Sequence, residues 1–95
     1  MKLKILQLKN LDKYGFMSFD FAKKHGFNLD DYKIVWEENI DADISLDDLF
    51  TRFNIDRPYG FNGHSLSVSD IIDLEGDKYY CDSAGWVDLK TEKNI

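Results

Sequence analysis

The chain opens with Leu3, Ile5, Leu6 and Leu8 set among Lys2, Lys4, Gln7 and Lys9, a pattern that predicts a strand over residues 2–8. The apolar positions change phase between Ile5 and Leu6, which requires either burial on both faces or a bulge. Tyr14, Met17 and Phe21 then recur at helical spacing. Lys23, Lys24 and His25 fill the last turn and Gly26 follows, so a helix is predicted from about Leu11 to His25 with Gly26 just past its end. Tyr32, Ile34 and Trp36 alternate with Lys33, Val35 and Glu37, predicting a strand over residues 31–38 with one strongly apolar face.

A second helix has a clear start, because Ser45 and Asp48 form a capping-box pattern ahead of Leu46, Leu49, Phe50 and Phe53 on one face. Asp48 and Arg52 are spaced as an i,i+4 ion pair on that helix. Residues 54–65 hold Pro58, Gly60, Asn62 and Gly63 and read as an ordered loop. Residues 70–75 and 78–82 flank Gly76-Asp77, the pattern of a hairpin with a type II′ turn. That register pairs Leu74 with Tyr79 and Ile72 with Cys81 on one face, and Asp73 with Tyr80 and Ile71 with Asp82 on the other, which turns Cys81 inward. Gly85-Trp86-Val87 brings the chain back to the sheet, and residues 92–95 are expected to fray. The sum is an α+β fold in a single domain spanning residues 1–95: a small antiparallel or mixed sheet with a C-terminal hairpin and two short helices packed on it.

Composition narrows the function classes. Ninety-five residues, 43% of them hydrophobic, can build one core and are unlike a disordered segment. The lone Cys81 excludes an intramolecular disulfide and a multi-cysteine zinc site, as expected in a reducing, cytoplasmic setting. Lysines at positions 2, 4 and 9 interrupt any secretory leader, and no apolar run approaches the roughly 20 residues of a membrane span, so no membrane association is expected. A net charge of -6 argues against direct nucleic-acid binding. The charge is unevenly spread: residues 1–24 carry +4, residues 25–56 carry -7 and residues 57–95 carry -3. Asp47 and Asp48 complement a helix start, which leaves Glu37, Glu38, Asp41 and Asp43 as a candidate acidic face for a basic partner, with plain solvation as the competing role.

Candidate chemistry is sparse. His64-Ser65-Leu66-Ser67-Val68-Ser69-Asp70 contains every residue type of a hydrolytic triad, but a triad converges from separate elements, and neighbours on an extended run alternate sides. His25, His64 and Cys81 lack paired ligand spacings, and Gly60 and Gly63 lack the Lys-Ser/Thr of a phosphate loop, so no metal and no cofactor is expected. Arg57, Tyr59 and Phe61 are the loop residues suited to anchor a partner, with His64, Ser65 and Ser67 completing that candidate loop surface, although Arg57 could instead bond loop carbonyls and Phe61 could plug the core.

Phe53-Asn54, Arg57-Pro58, Gly60-Phe61, the run from Gly63 to Ile72, Tyr79-Tyr80-Cys81-Asp82-Ser83 and Gly85-Trp86 together resemble the YodL-like domain across about residues 45–89. The segments Tyr14-Gly15-Phe16-Met17 and Tyr32 to Trp36 resemble the leader of that module more loosely. The resemblance implies a setting in Firmicutes and in phages, conjugative plasmids and integrative elements, and it implies no reaction. From that setting the expected function is a non-enzymatic protein that binds and inhibits a host protein. The target class is a nucleic-acid-binding defence effector (restriction or CRISPR), met by an acidic, DNA-mimicking face. The alternative is a small ligand-binding or hydrolytic domain using the Arg57–Asp70 loop, with His64, Ser65 and Ser67 converging on a pocket. The Gly63–Asp70 signature is either a site or a fold signature.

Overall fold

Lys2–Leu8 does form a strand, β1, and it becomes an inner strand of the sheet rather than an edge. A computed structural model describes residues 1–95: β1, helix α1 (Phe19–Lys24), a 3-10 turn (Leu29–Asp31), β2 (Tyr32–Asn39), helix α2 (Leu46–Ile55), then β3 (Ile71–Leu74), β4 (Asp77–Cys81), β5 (Trp86–Asp88) and β6 (Lys93–Asn94). The six strands form one antiparallel sheet in the order β2-β1-β3-β4-β5-β6, so the fold is α+β. Between β2 and β3 the chain must cross from one side of β1 to the other, and α2 with the loop after it makes that crossing.

The phase change in β1 reflects burial on both faces. Leu3 and Ile5 join Leu49, Phe53, Leu66, Ile72, Cys81 and Trp86 in the core beneath α2. Leu8 joins Phe19, Ala22, Tyr14, Tyr32, Ile71, Tyr80 and Val87 in a second core on the α1 side. The bulge lies in β2: Ile5 faces Trp36 and Leu6 faces Ile34, so Val35 is the extra residue. This breaks the expected single apolar face of β2. Tyr32 enters the α1-side core, Val35 and Trp36 pack on the α2 side, and Ile34 is left 51% exposed.

The first helix is shorter than the periodicity predicts. Phe16 takes a left-handed φ of 64°, which breaks the helix upstream, and Ser18 caps α1 by accepting from the Phe21 N–H. Met17 is therefore exposed instead of facing a core. The helix ends where predicted: Gly26, at φ 78°, lets its own N–H reach the Lys23 carbonyl and the Phe27 N–H reach Ala22. In α2 the capping box between Ser45 and Asp48 forms as expected. That engagement takes Asp48 away from Arg52, which turns to Glu38 at 2.6 Å, so the i,i+4 pair is absent.

The β3–β4 hairpin keeps its predicted faces but shifts register by two. Glu75 and Gly76, both with positive φ, make the turn, so Leu74 faces Asp77 and Ile72 faces Tyr79. The Asp73 side chain accepts from the Gly76 N–H and fixes this earlier turn. An even shift leaves every side chain on its original face, and Cys81 still points inward. The C-terminus is ordered: Lys93–Asn94 pairs with β5, and the Ile95 N–H donates to Trp86.

Leu49 is fully buried under α2, so Leu49→Ala is expected to cost about 2–5 kcal/mol in urea unfolding. Ile34→Ala should cost less than about 0.5 kcal/mol, because that side chain is 51% exposed. Equal costs would contradict the exposed placement of Ile34.

Candidate functional site

The loop from α2 to β3 runs past the end of β1, where Gln7 interrupts the apolar strand and is only 2% exposed. Gln7 spends both amide hydrogens on this loop, donating to the His64 carbonyl at 2.9 Å and to Asp70 Oδ2 at 3.1 Å. Gly63 allows the close approach: a Cβ there would collide with Gln7 Oε1 and stand 2.9 Å from the Phe61 ring.

Asp70 is fully buried. Its Oδ2 also accepts from the Ser67 N–H at 2.8 Å, its own N–H donates to the Ser67 carbonyl, and its carbonyl accepts from the Cys81 N–H. Oδ1 has no hydrogen-bond partner, and neither does the buried Nε2 of His64, 3.7 Å away. Burial pushes the Asp70 carboxyl up to about 8, against the lowering pull of the Ser67 and Gln7 hydrogen bonds. With Oδ2 occupied by two donors, the proton belongs on Oδ1, facing His64. His64 Nδ1 lies 2.7 Å from the Ser65 carbonyl, which can only accept, so Nδ1 carries a ring hydrogen and Nε2 is the nitrogen that faces Asp70.

Ser67 and Ser69 of the signature bond to the backbone as well. Ser67 Oγ donates to the Ser65 carbonyl at 2.7 Å. Ser69 is buried in a left-handed conformation at φ 87°, with each polar group paired: its N–H donates to Cys81, its Oγ accepts from Phe16, and its carbonyl accepts from the Tyr32 hydroxyl. A cleft of about 340 Å³ opens beside His64, bordered by Gln7, Lys9, Asn10, Lys33 and Asn62. Neither Ser65 nor Ser67 lines it, so no hydroxyl meets His64 there as a nucleophile would meet its base. No three of His, Cys, Asp and Glu come together as metal ligands.

The remaining sequence candidates separate into engaged and free. Phe61 packs on Phe53 and Trp36, with ring centroids 5.3 and 5.9 Å away, which is the core-plugging role. Tyr59 is fully exposed and Ile55 is 82% exposed, with the exposed Arg57 between them in sequence. Glu37 faces Lys4 at 3.9 Å, whereas Glu38 is held by Arg52 and by the Trp36 indole N–H. As strand neighbours these two point to opposite faces and do not form a row with each other. Asp41 and Asp43 are exposed and unpaired in the turn before α2. Among the N-terminal lysines, Lys13 pairs with Asp31, Lys23 with Glu92, and Lys9 bonds the Asp30 carbonyl, which disperses the positive charge. Sequence reasoning missed Gln7 and Ile55. The signal for Gln7 was an amide set between Leu6 and Leu8, and an exposed Ile55 has none.

Because the folded Asp70 pKa lies above its ordinary 3.8, the folded chain holds a proton that the unfolded chain releases. Stability from this group is complete below about pH 4 and is lost as pH rises through about 8. Asp31 acts in the opposite sense: the Lys13 hydrogen bond holds its carboxyl low, so its contribution is lost only as pH falls below 3.8. Asp70→Asn mimics the protonated acid and is expected to flatten the thermal-stability profile between about pH 4 and 8, whereas an unchanged slope would exclude Asp70 as its source.

Comparison with known proteins follows the same residues. Neither curated proteins nor solved structures give a match to this chain. The family model of the YodL-like domain matches residues 2–91, reaching well beyond the 45–89 segment that carries the clearest resemblance and taking in β1 with Gln7. The chain therefore belongs to the YodL-like domain family.

Proposed function

We propose that this protein is a non-enzymatic binding module that docks on a host protein and blocks it, using the loop after α2 as its anchor. The observation that carries this reading is the exposure of Tyr59, beside an exposed Arg57 and an Ile55 that is 82% accessible. The fold uses Phe61 from the same loop as a core plug and leaves Tyr59 free of ring partners. Exposed aromatic and arginine side chains on an ordered scaffold are the groups that dominate protein–protein hot spots. Unpaired Asp41 and Asp43 with the net charge of -6 favour a basic partner surface, as a nucleic-acid-handling effector presents, and would speed encounter. The mobile-element setting implied by the family makes a restriction or CRISPR effector the expected target, with partial mimicry of DNA charge as the contribution of the acids.

Quantitative capture from host lysate tests this. Tyr59→Ala and Ile55→Ala should leave thermal stability unchanged and weaken retention of the specific partner by about tenfold or more each, as hot-spot truncations do. Asp41→Asn with Asp43→Asn should reduce the salt dependence of association. Full retention by the Tyr59→Ala and Ile55→Ala variants would overturn the loop as the anchor.

A further inference from the structure

A cleft of about 270 Å³ opens between the first turn of α2 and the β4–β5 corner, at the other end of α2 from Tyr59. Its walls are Val68, Cys81, Phe50 and Trp86, the two aromatic rings standing edge to face at 6.3 Å. Two carboxylates stand at its rim. Asp47 accepts from the Trp86 indole N–H with Oδ1, and Asp82 Oδ1 accepts from the Phe19 and Ser83 N–H groups, which leaves the second oxygen of each without a protein partner. Neither has a cationic side chain within ion-pair distance. The positive end of α2 is already covered by the Ser45–Asp48 capping box. Burial above all, with the nearby carboxylates of Asp82 and Asp47 adding to it, pushes the Cys81 thiol up to about 12, so its sulfur stays a protonated, non-nucleophilic wall.

We infer that this cleft receives an arginine side chain from a partner protein. An arginine can lay its aliphatic stem on apolar and aromatic walls and direct the planar, multi-donor guanidinium at free carboxylate oxygens, and this cleft sets two such carboxylates beside apolar and aromatic walls. Lysine, a compact and strongly hydrated point charge, matches the combination less well. The inference rests on the protein-binding role proposed above and names the chemistry of the partner.

The test follows the Trp86 indole N–H by NMR while the full chain is titrated with a Gly-Arg-Gly amide peptide, its citrulline and lysine counterparts, and free arginine. The arginine peptide should shift this signal saturably, and the citrulline peptide, which lacks the charge, should not. Asp47→Asn with Asp82→Asn keeps the acceptor oxygens for Trp86 and Phe19 and should weaken peptide binding by about tenfold or more. Equal binding of the citrulline peptide, or no saturable shift at Trp86, overturns the inference without needing any variant. Free arginine binding as tightly as the peptide overturns the partner-protein assignment. Host-protein capture that survives the double Asn variant but is lost with Tyr59→Ala overturns the arginine cleft and leaves the binding role standing.

Discussion

The structure depends on one buried carboxyl. The chain must pass from α2, on one face of the sheet, to β3, which pairs with the inner strand β1. Asp70 sits at that passage with no solvent exposure, and its atoms bond β1 through Gln7, the preceding turn through Ser67 and the end of β4 through Cys81. A buried carboxylate is costly unless it is paired or neutral. Burial outweighs the two donors on Oδ2, which favour the ionised form, and the carboxyl meets this cost by keeping its proton.

From that constraint the Gly63–Asp70 signature acquires a structural meaning. Gly63 makes room for Gln7, Ser67 closes the turn onto Asp70, and Ser69 holds a left-handed backbone with every polar group paired. Leu66 fills the α2-side core. The Ser67 and Ser69 hydroxyls that looked like hydrolytic chemistry are engaged by backbone groups, and the surfaces proposed for a partner lie on either side of them, at the Tyr59 loop and at the Asp47–Asp82 cleft.

Much of this was legible in the chain because local rules and tertiary demands agreed. The Ser45 capping box, the apolar stripe of α2, the Gly26 stop and the inward face of Cys81 all follow from spacing alone. The departures have specific causes. A bulge at Val35 turned Trp36 to the face opposite Tyr32, which periodicity cannot register because it assumes an unbroken pleat. The left-handed Phe16 cut the first helix short, held there by a hydrogen bond to Ser69, a residue 53 positions away. The hairpin turned one residue early because Asp73 captured the Gly76 N–H. The pairing of Glu38 with Arg52 and the burial of Gln7 are likewise long-range events, so the acidic face and the polar knot could not be read from neighbours in sequence.

The most direct test is the titration of the Asp70 carboxyl itself, followed by the carbon-13 shift of its Cγ in the folded protein. A group kept neutral by burial will stay protonated through the mildly acidic range and titrate near about 8. A carboxyl that titrates near its ordinary 3.8 would show an ionised Asp70 throughout and would contradict the account of the fold built on it.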